Sequence, residues 1–203
     1  MNISELSLLD KSGFLINNLD TKLSFSSNEI RLDSTLISTP YSTISSALIA
    51  LNYEDISDIN DFFNKVDLKS EINFSKIGLK DLAFFDSNFG KGDQEITING
   101  KLNGKLSKFN IDDLFIGFSG NSYLNSHVLV SGLPDIENTV FELIVKDGKT
   151  SKKDLDNINF MSFGLSSDIQ LPTLLDEFGL IDLYGEFKGS YTDFESHFHV
   201  ASA

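Results

Sequence analysis

Two histidines near the end of the chain come closest to a metal-binding pattern. His197 and His199 are two residues apart, so in a β-strand they share one face and present two imidazole ligands to an ion such as zinc. Such a site needs a third ligand, and no carboxylate pair is fixed beside them by spacing. The alternative, an exposed or edge face of a strand, is favoured. We expect no metal and no cofactor.

Two other segments resemble functional patterns and lack a required glycine. Gly148-Lys149-Thr150 matches the end of a phosphate-binding loop, but Leu143 stands where that pattern needs glycine. We predict a hairpin turn at Asp147-Gly148 instead. Ser119 lies in a partial nucleophile elbow that has Asn121 in place of its second glycine. We therefore predict that the protein is not an enzyme.

The balance of charge excludes some partners. The 203 residues carry 30 Asp and Glu against 16 Lys and Arg, a formal net charge of −14. A surface that binds nucleic acid must neutralise phosphates, so we expect no nucleic-acid partner. The same argument disfavours adhesion to an anionic membrane. There is no cysteine, and therefore no disulfide framework or thiolate metal site.

The elements that must position any functional side chain are indicated by a repeat. Residues 96–109 and 181–194 share the fourteen-residue pattern apolar-x-apolar-x-Gly-x-apolar-x-Gly-x-apolar-x-x-Phe, at an offset of 85 residues (181 − 96). The apolar residues alternate, as in a strand with one dry face, and the glycines lie on that same face. A repeated unit of this kind predicts an elongated array. Each unit has room for about six strands.

This pattern, followed by another strand, resembles the repeats of the AsmA-like superfamily and, within it, the TamB family, the inner-membrane subunits of the translocation and assembly module. The opening segment 3–14 and residues 32–42 fit the same pattern more loosely. The resemblance implies a mostly β fold, in which an elongated, curved antiparallel sheet of repeated strands forms a U-shaped trough. It covers residues 1–203 as one continuous β-repeat segment of a longer chain.

The resemblance also implies a function in the periplasm. The trough would carry phospholipid acyl chains between the inner and outer membranes, or assist outer-membrane protein assembly beside a barrel partner contacted through regions outside this chain. No apolar run is long enough to span a bilayer, and Met1–Glu5 has no signal-peptide character. We therefore expect the inner-membrane tether to be a segment absent from this chain.

Several segments have the alternation of strands, and three have the pattern of short helices. Ile56–Val66 places apolar residues at helical spacing behind a predicted Ser57/Asp58 cap. Pro172–Gly179 has proline at its start and glycine at its end. Leu79–Phe85 is the third and weakest helix. Phe115 and Ile144 interrupt the alternation of their strands, which predicts strands buried on both faces.

The residues expected to line the lipid groove are the apolar residues of the alternating strands. They are Leu68, Ile72, Phe74, Ile96, Ile98, Leu102, Leu106, Leu114, Ile116, Phe118, Leu183, Phe187 and Tyr191. The 18 Phe and 5 Tyr also suit an ordinary hydrophobic core. Three hypotheses remain at this point: a lipid conduit, an interaction scaffold that offers sheet edges to client strands, and a closed structural β-solenoid or barrel without a ligand.

Overall fold

All the strands that the structure describes belong to one sheet. A computed structural model describes residues 1–11, 13–84, 93–118, 120–158, 177, 179–190 and 192–202, apart from the side chain of Ile136. It contains eleven strands, each antiparallel to the next and arranged in chain order from β1 to β11, and the sheet is not closed. The predicted mostly β, antiparallel fold with short helices is confirmed. The closed alternative is wrong, because β1 and β11 are both free edges.

The strands are long, mostly nine to twelve residues. They are β1 (Asn2–Leu9), β2 (Leu15–Phe25), β3 (Glu29–Ser38), β4 (Thr43–Asn52), β5 (Asp67–Gly78), β6 (Glu95–Lys105), β7 (Lys108–Gly117), β8 (Tyr123–Ser131), β9 (Val140–Ser151), β10 (Leu180–Gly189) and β11 (Phe194–Ser202). The described short helices are α1 (Phe62–Lys65), α2 (Leu79–Leu82), α3 (Lys152–Asp156), and 3-10 turns at Ile56–Asp61 and Ile136–Asn138.

The structural unit behind the repeat has four strands. Strands β2–β5 recur as β6–β9, and β10 and β11 begin the unit again. Ser34 in β3 and Asp113 in β7 both have positive φ, 52° and 50°, and both sit at a bulge in the second strand of a unit. Ser46 and Ser126, in the third strands, are both 2% exposed. Among the described residues a unit has four strands rather than the predicted six, because these strands are longer than average.

Bulges bend the sheet along a line through its middle. The register shifts in every neighbouring pair of strands except β3 with β4 and β10 with β11. Such shifts bend strands and increase their twist. Small buried residues follow this line on one face, including Thr21 and Thr35, whose hydroxyls lie 2.8 Å apart. Ser34 and Asp113, at the bulges, are exposed. The small side chains therefore fit the crowded, concave side of the bend.

The predicted helix at Ile56–Val66 exists as a 3-10 turn followed by α1. Its cap is Asp55 rather than Ser57 or Asp58. The Asp55 carboxylate accepts a hydrogen bond from the Ser57 backbone N–H, while Asp58 accepts one from the Asp55 N–H at 2.9 Å. This reciprocal arrangement is a capping box, and it begins two residues before the predicted cap.

Helix α2 ends at Leu82, so the described part of the third predicted helix is shorter than expected, and Phe85 lies outside the described residues. Helix α3 was not predicted, because four polar residues in five give it no apolar period. Most of the predicted helix Pro172–Gly179 also lies outside the described residues.

Each unit ends in a helix whose aspartate contacts the turn between its second and third strands. Asp81 in α2 accepts hydrogen bonds from the hydroxyls of Thr39 and Ser42. Asp154 in α3 accepts hydrogen bonds from Ser122 Oγ at 3.0 Å and from the Asn121 N–H at 3.2 Å. The helices therefore attach the end of one unit to a turn two strands back.

Gly148 is not in a hairpin turn. It lies inside β9 and pairs with Leu124 on one side and Leu183 on the other. A Cβ at this position would lie 2.6 Å from Leu124 Cδ2 and 3.1 Å from Leu183 Cγ. The Asp-Gly pair predicted a turn, but the sheet uses this glycine as a gap between two leucines.

Candidate functional site

One face of the sheet is largely apolar from β2 to β11. Residues directly opposite each other in an antiparallel pair have side chains on the same face. The row closest to the β6–β7 hairpin is apolar at every position except for two glycines. It consists of Phe25, Ile30, Leu51, Leu68, Gly104, Phe109, Val130, Phe141, Gly189 and Phe194.

A second row on the same face lies one step closer to the bulges. It consists of Leu23, Leu32, Ile49, Ser70, Leu102, Ile111, Val128, Leu143, Phe187 and Ser196. Beyond the bulges the face continues through Ser75, Ile98, Ile116, Leu124, Gly148, Leu183 and Val200. We call this continuous surface the apolar face.

No second layer covers the apolar face within the described residues. Extensive contacts join only neighbouring strands, or a short helix to the nearby sheet. Few apolar residues are fully buried in the described part of the chain: Ala50, Tyr53, Val66, Leu79, Val130, Val145 and Ile181. Most residues of the apolar face are half-buried, shielded by their neighbours and by the bend. The face therefore leaves hydrocarbon surface available to a ligand.

Most residues predicted for the groove lie on the apolar face. They are Leu68, Ile72, Ile96, Ile98, Leu102, Leu114, Ile116, Leu183 and Phe187. Tyr191 lies outside the described residues. Leu106 and Phe118 are not in strands: Leu106 is in the turn between β6 and β7, and Phe118 follows the end of β7.

Phe74 lies on the opposite face from its predicted neighbours. The register of β5 with β6 shifts between Ile72 and Ser75, and both of those residues remain on the apolar face. Phe74 is 67% exposed, and its ring centroid lies 5.3 Å from that of Phe115. Simple alternation placed it in the groove, but the bulge inserts an extra residue and reverses its direction.

The opposite face is polar and carries cross-strand ion pairs. Lys188 Nζ lies 2.7 Å from Glu142, and this contact raises the pKa of the lysine. His127 Nδ1 lies 2.7 Å from Asp112, and Lys101 lies 3.8 Å from Glu71. We call this surface the polar face. Ile144 is 48% exposed there, so the prediction that β9 is buried on both faces is wrong.

The glycines of the repeat are explained by the hairpin that follows them. Gly104 pairs with Phe109, and Gly189 pairs with Phe194, so the last glycine of each copy faces its terminal phenylalanine. A Cβ on Gly104 would lie 2.9 Å from Phe109 Cα, and its φ is +119°. The fourteen-residue pattern therefore corresponds to a strand, the turn that follows it and the beginning of the next strand.

One functional feature is not evident from the sequence alone. Phe74, Phe115 and Tyr123 form a cluster on the polar face, with Phe115 and Tyr123 stacked at 5.9 Å. We call these three rings the aromatic patch. The only sequence signal was the break in alternation at Phe115.

The candidate metal and phosphate sites are not supported by the geometry. His197 and His199 share the polar face of β11, where His199 stacks on Tyr184 at 4.7 Å. Within the part of the chain that the structure describes, no group of three or more acidic or histidine side chains could hold a metal ion. Lys149 and Thr150 lie inside β9 with Gly148, and Ser119 is outside the described residues.

Among the described helices, none has the length and apolar character required to cross a membrane. Comparison with known proteins gives no match to a protein-family model, to a curated protein or to a solved structure.

Proposed function

We propose that the apolar face binds phospholipid acyl chains and that the protein is a segment of a periplasmic lipid conduit. The observation that carries this proposal is a continuous apolar surface, ten strands wide, without a covering layer among the described residues. Soluble proteins rarely leave an apolar surface of this extent uncovered, and such surfaces usually mark binding sites.

The dimensions and energetics suit an extended hydrocarbon ligand. Strands are spaced about 4.8 Å apart, so the rows run on the order of 40 Å across the sheet. Each CH₂ group removed from water contributes about 0.8 kcal/mol. A surface without regular polar contacts binds acyl chains without selecting one position, which is what movement along a conduit requires.

The sequence resemblance to the AsmA-like superfamily and the TamB family supports the setting of this proposal. In that setting the segment lies in the periplasm between the inner and outer membranes, tethered to the inner membrane and contacting a barrel partner through other parts of a longer chain. The four-stranded repeat is consistent with it, because further units added at a free edge would extend the apolar face.

The proposal is tested with a photo-crosslinking amino acid placed on each face. Ile98 and Leu183 lie on the apolar face, and Thr97 and Glu186 lie on the polar face of the same two strands. We expect radiolabelled phospholipid to crosslink at the first two positions and not at the second two. Equal labelling of both pairs, or no labelling in any of them, would contradict a lipid-binding face.

A second candidate function follows from the free edge at β11. All described residues of this strand are exposed, and only one of its sides is paired. Such an edge can accept a strand from another chain, as an assembly scaffold for outer-membrane proteins would require. Crosslinking of a client strand to β11, with no lipid on the apolar face, would favour this function over the first.

A further inference from the structure

The aromatic patch brings three rings together on a face that otherwise carries mostly polar side chains and scattered apolar ones such as Ile144 and Tyr184. Phe115 pairs with Asn99 on one side and Asn125 on the other, and Asn125 pairs in turn with Asp147. The Phe115 ring covers Gly117, where an added Cβ would lie 3.1 Å from the ring. The ring therefore packs over Gly117, edge-to-face with Phe74 and stacked with Tyr123.

Two clefts open on either side of these rings. One, of about 500 Å³, is lined by all three rings together with Glu95. The other, of about 360 Å³, is lined by Phe74, Phe115 and the carboxylates of Asp113 and Asp147. Both volumes lie in the range of small-molecule sites, about 300 to 1,000 Å³.

The charge of the clefts is negative. Three carboxylates line them: Glu95 pairs with Lys76 at 3.2 Å and Asp113 pairs with Lys146 at 3.4 Å, so Asp147 gives the clefts their net negative charge. Asp147 is held by the Asn125 amide at 3.1 Å and forms no ion pair within the described part of the chain. The protein as a whole carries a formal net charge of −14. A cation is therefore attracted both by the local carboxylates and by the field of the protein.

The repeat shows that the fold does not require this patch. In the first unit, Leu36 and Thr43 occupy the positions that Phe115 and Tyr123 occupy in the second, because β2–β5 and β6–β9 share their bulges. In the second unit, Asp147 occupies the bulge position that Phe74 occupies in the first unit. Between these two described units, the three rings therefore meet at the junction and not at the equivalent positions of the first unit.

We propose that the aromatic patch and its two clefts bind an organic cation, an alkylated or quaternary ammonium group. Aromatic faces attract such groups through the ring quadrupole, and flanking carboxylates add a direct charge interaction. The site lies on the polar face, so it is separate from the proposed lipid-binding face and does not depend on it. The cation could be a free amine or the choline headgroup of a lipid.

The test compares choline with 3,3-dimethyl-1-butanol, its uncharged carbon analogue, by NMR titration of the ¹⁵N-labelled protein. We expect choline to shift resonances around Phe115 and Tyr123, and the analogue to bind at least about fivefold more weakly. Co-sedimentation with vesicles of phosphatidylcholine would identify a lipid headgroup as the source, whereas choline binding without co-sedimentation would identify a free cation.

Matched variants separate ring chemistry from hydrophobicity. Phe74→Leu keeps an apolar side chain at a position that is 67% exposed, and Phe25→Leu does the same on the apolar face at 68% exposure. We expect Phe74→Leu to weaken choline binding about two- to fivefold, and Phe25→Leu to leave it unchanged. Asp147→Asn should also weaken it. Equal binding of choline and its analogue, or equal binding by the two Phe variants, would overturn the proposal.

Discussion

At the scale of single residues, Gly104 is required for two separable reasons. Its φ of +119° is unfavourable for other residues, and an added Cβ would lie 2.6 Å from the Lys108 carbonyl oxygen. We expect Gly104→Ala to lower the free energy of unfolding by about 1 to 3 kcal/mol, measured by denaturant titration. The expected loss of stability comes from the collision with the paired strand β7, not from a narrower groove.

Gly179 provides the control for this substitution. It also has positive φ, +65°, but no atom of the described residues lies within 4 Å of the position its Cβ would take. Gly179→Ala should therefore cost only the backbone conformation, about 1 kcal/mol. If Gly104→Ala and Gly179→Ala lose the same free energy of unfolding, the collision of the added Cβ with β7 contributes nothing to the loss.

Gly148 is predicted to be intolerant of a side chain for steric reasons. Its added Cβ would collide with Leu124 on β8, so we expect Gly148→Ala to cost about 1 to 3 kcal/mol. Shortening the neighbour should relieve the collision. In a double-mutant cycle, Gly148→Ala with Leu124→Ala should be about 1 kcal/mol more stable than the sum of the single losses predicts. Strict additivity would contradict the steric explanation.

At the scale of elements, α2 is attached to the sheet through Asp81. Asp81 is 5% exposed; its Oδ2 accepts hydrogen bonds from Thr39 and Ser42, and its Oδ1 has no hydrogen-bond partner among the described residues. We expect Asp81→Ala to cost about 1 to 3 kcal/mol, because it leaves the buried Ser42 hydroxyl without an acceptor and Thr39 with only the Ser42 carbonyl at 3.4 Å. Asp81→Asn retains one acceptor oxygen and should cost less. If both variants have the same free energy of unfolding as the native protein, these hydrogen bonds do not hold α2 to the sheet.

The connector at residues 54–66 should respond to acid. The backbone N–H of Asp55 and, next, the ammonium group of Lys65 at 3.0 Å hold the pKa of Asp58 below its ordinary value. A carboxylate with a lowered pKa stabilises the fold above its unfolded pKa, about 3.9, and this contribution is lost as the pH falls through the folded value. Asp58→Asn should therefore lower the melting temperature at pH 7, with the difference shrinking below about pH 4.

Asp61 is an exposed aspartate at the end of the same 3-10 turn and provides the control for this experiment. Asp61→Asn should leave the melting temperature nearly unchanged across the same pH range. A difference between native protein and Asp58→Asn that stays constant from pH 7 to pH 3 would show that the charge of Asp58 is not responsible.

At the scale of the whole molecule, we expect an added charge to reduce lipid binding on the apolar face but not on the polar face. On both faces we expect the protein to remain folded. Leu102 is half-buried on the apolar face, and Asn103 is the next residue of β6, on the polar face. We expect Leu102→Arg to remain folded, because the arginine can extend to solvent across an open face, and to lose most phospholipid crosslinking at Ile98. Asn103→Arg should leave crosslinking unchanged. Unfolding of Leu102→Arg would instead indicate a closed core, in which an unpaired charge is strongly destabilising.

The local sequence was sufficient to predict the class of fold and much of the apolar face. Alternating residues such as Ile98 and Leu102, or Leu183 and Phe187, specify a strand with one dry side, because successive side chains of a strand point to opposite faces. The repeat similarly predicted that these two strands are equivalent. The glycines and the terminal phenylalanine of each copy were recognised as a pattern before their pairing explained them.

The tertiary structure decided what depends on pairing between distant segments. Phe74 changed faces because a bulge formed opposite β6, and Gly148 became a gap between two leucines because β9 continued past a dipeptide that favours turns. The aromatic patch and the Asp81 contacts join residues far apart in the chain. Local periodicity contains no information about strand register, and register determines which of these side chains meet.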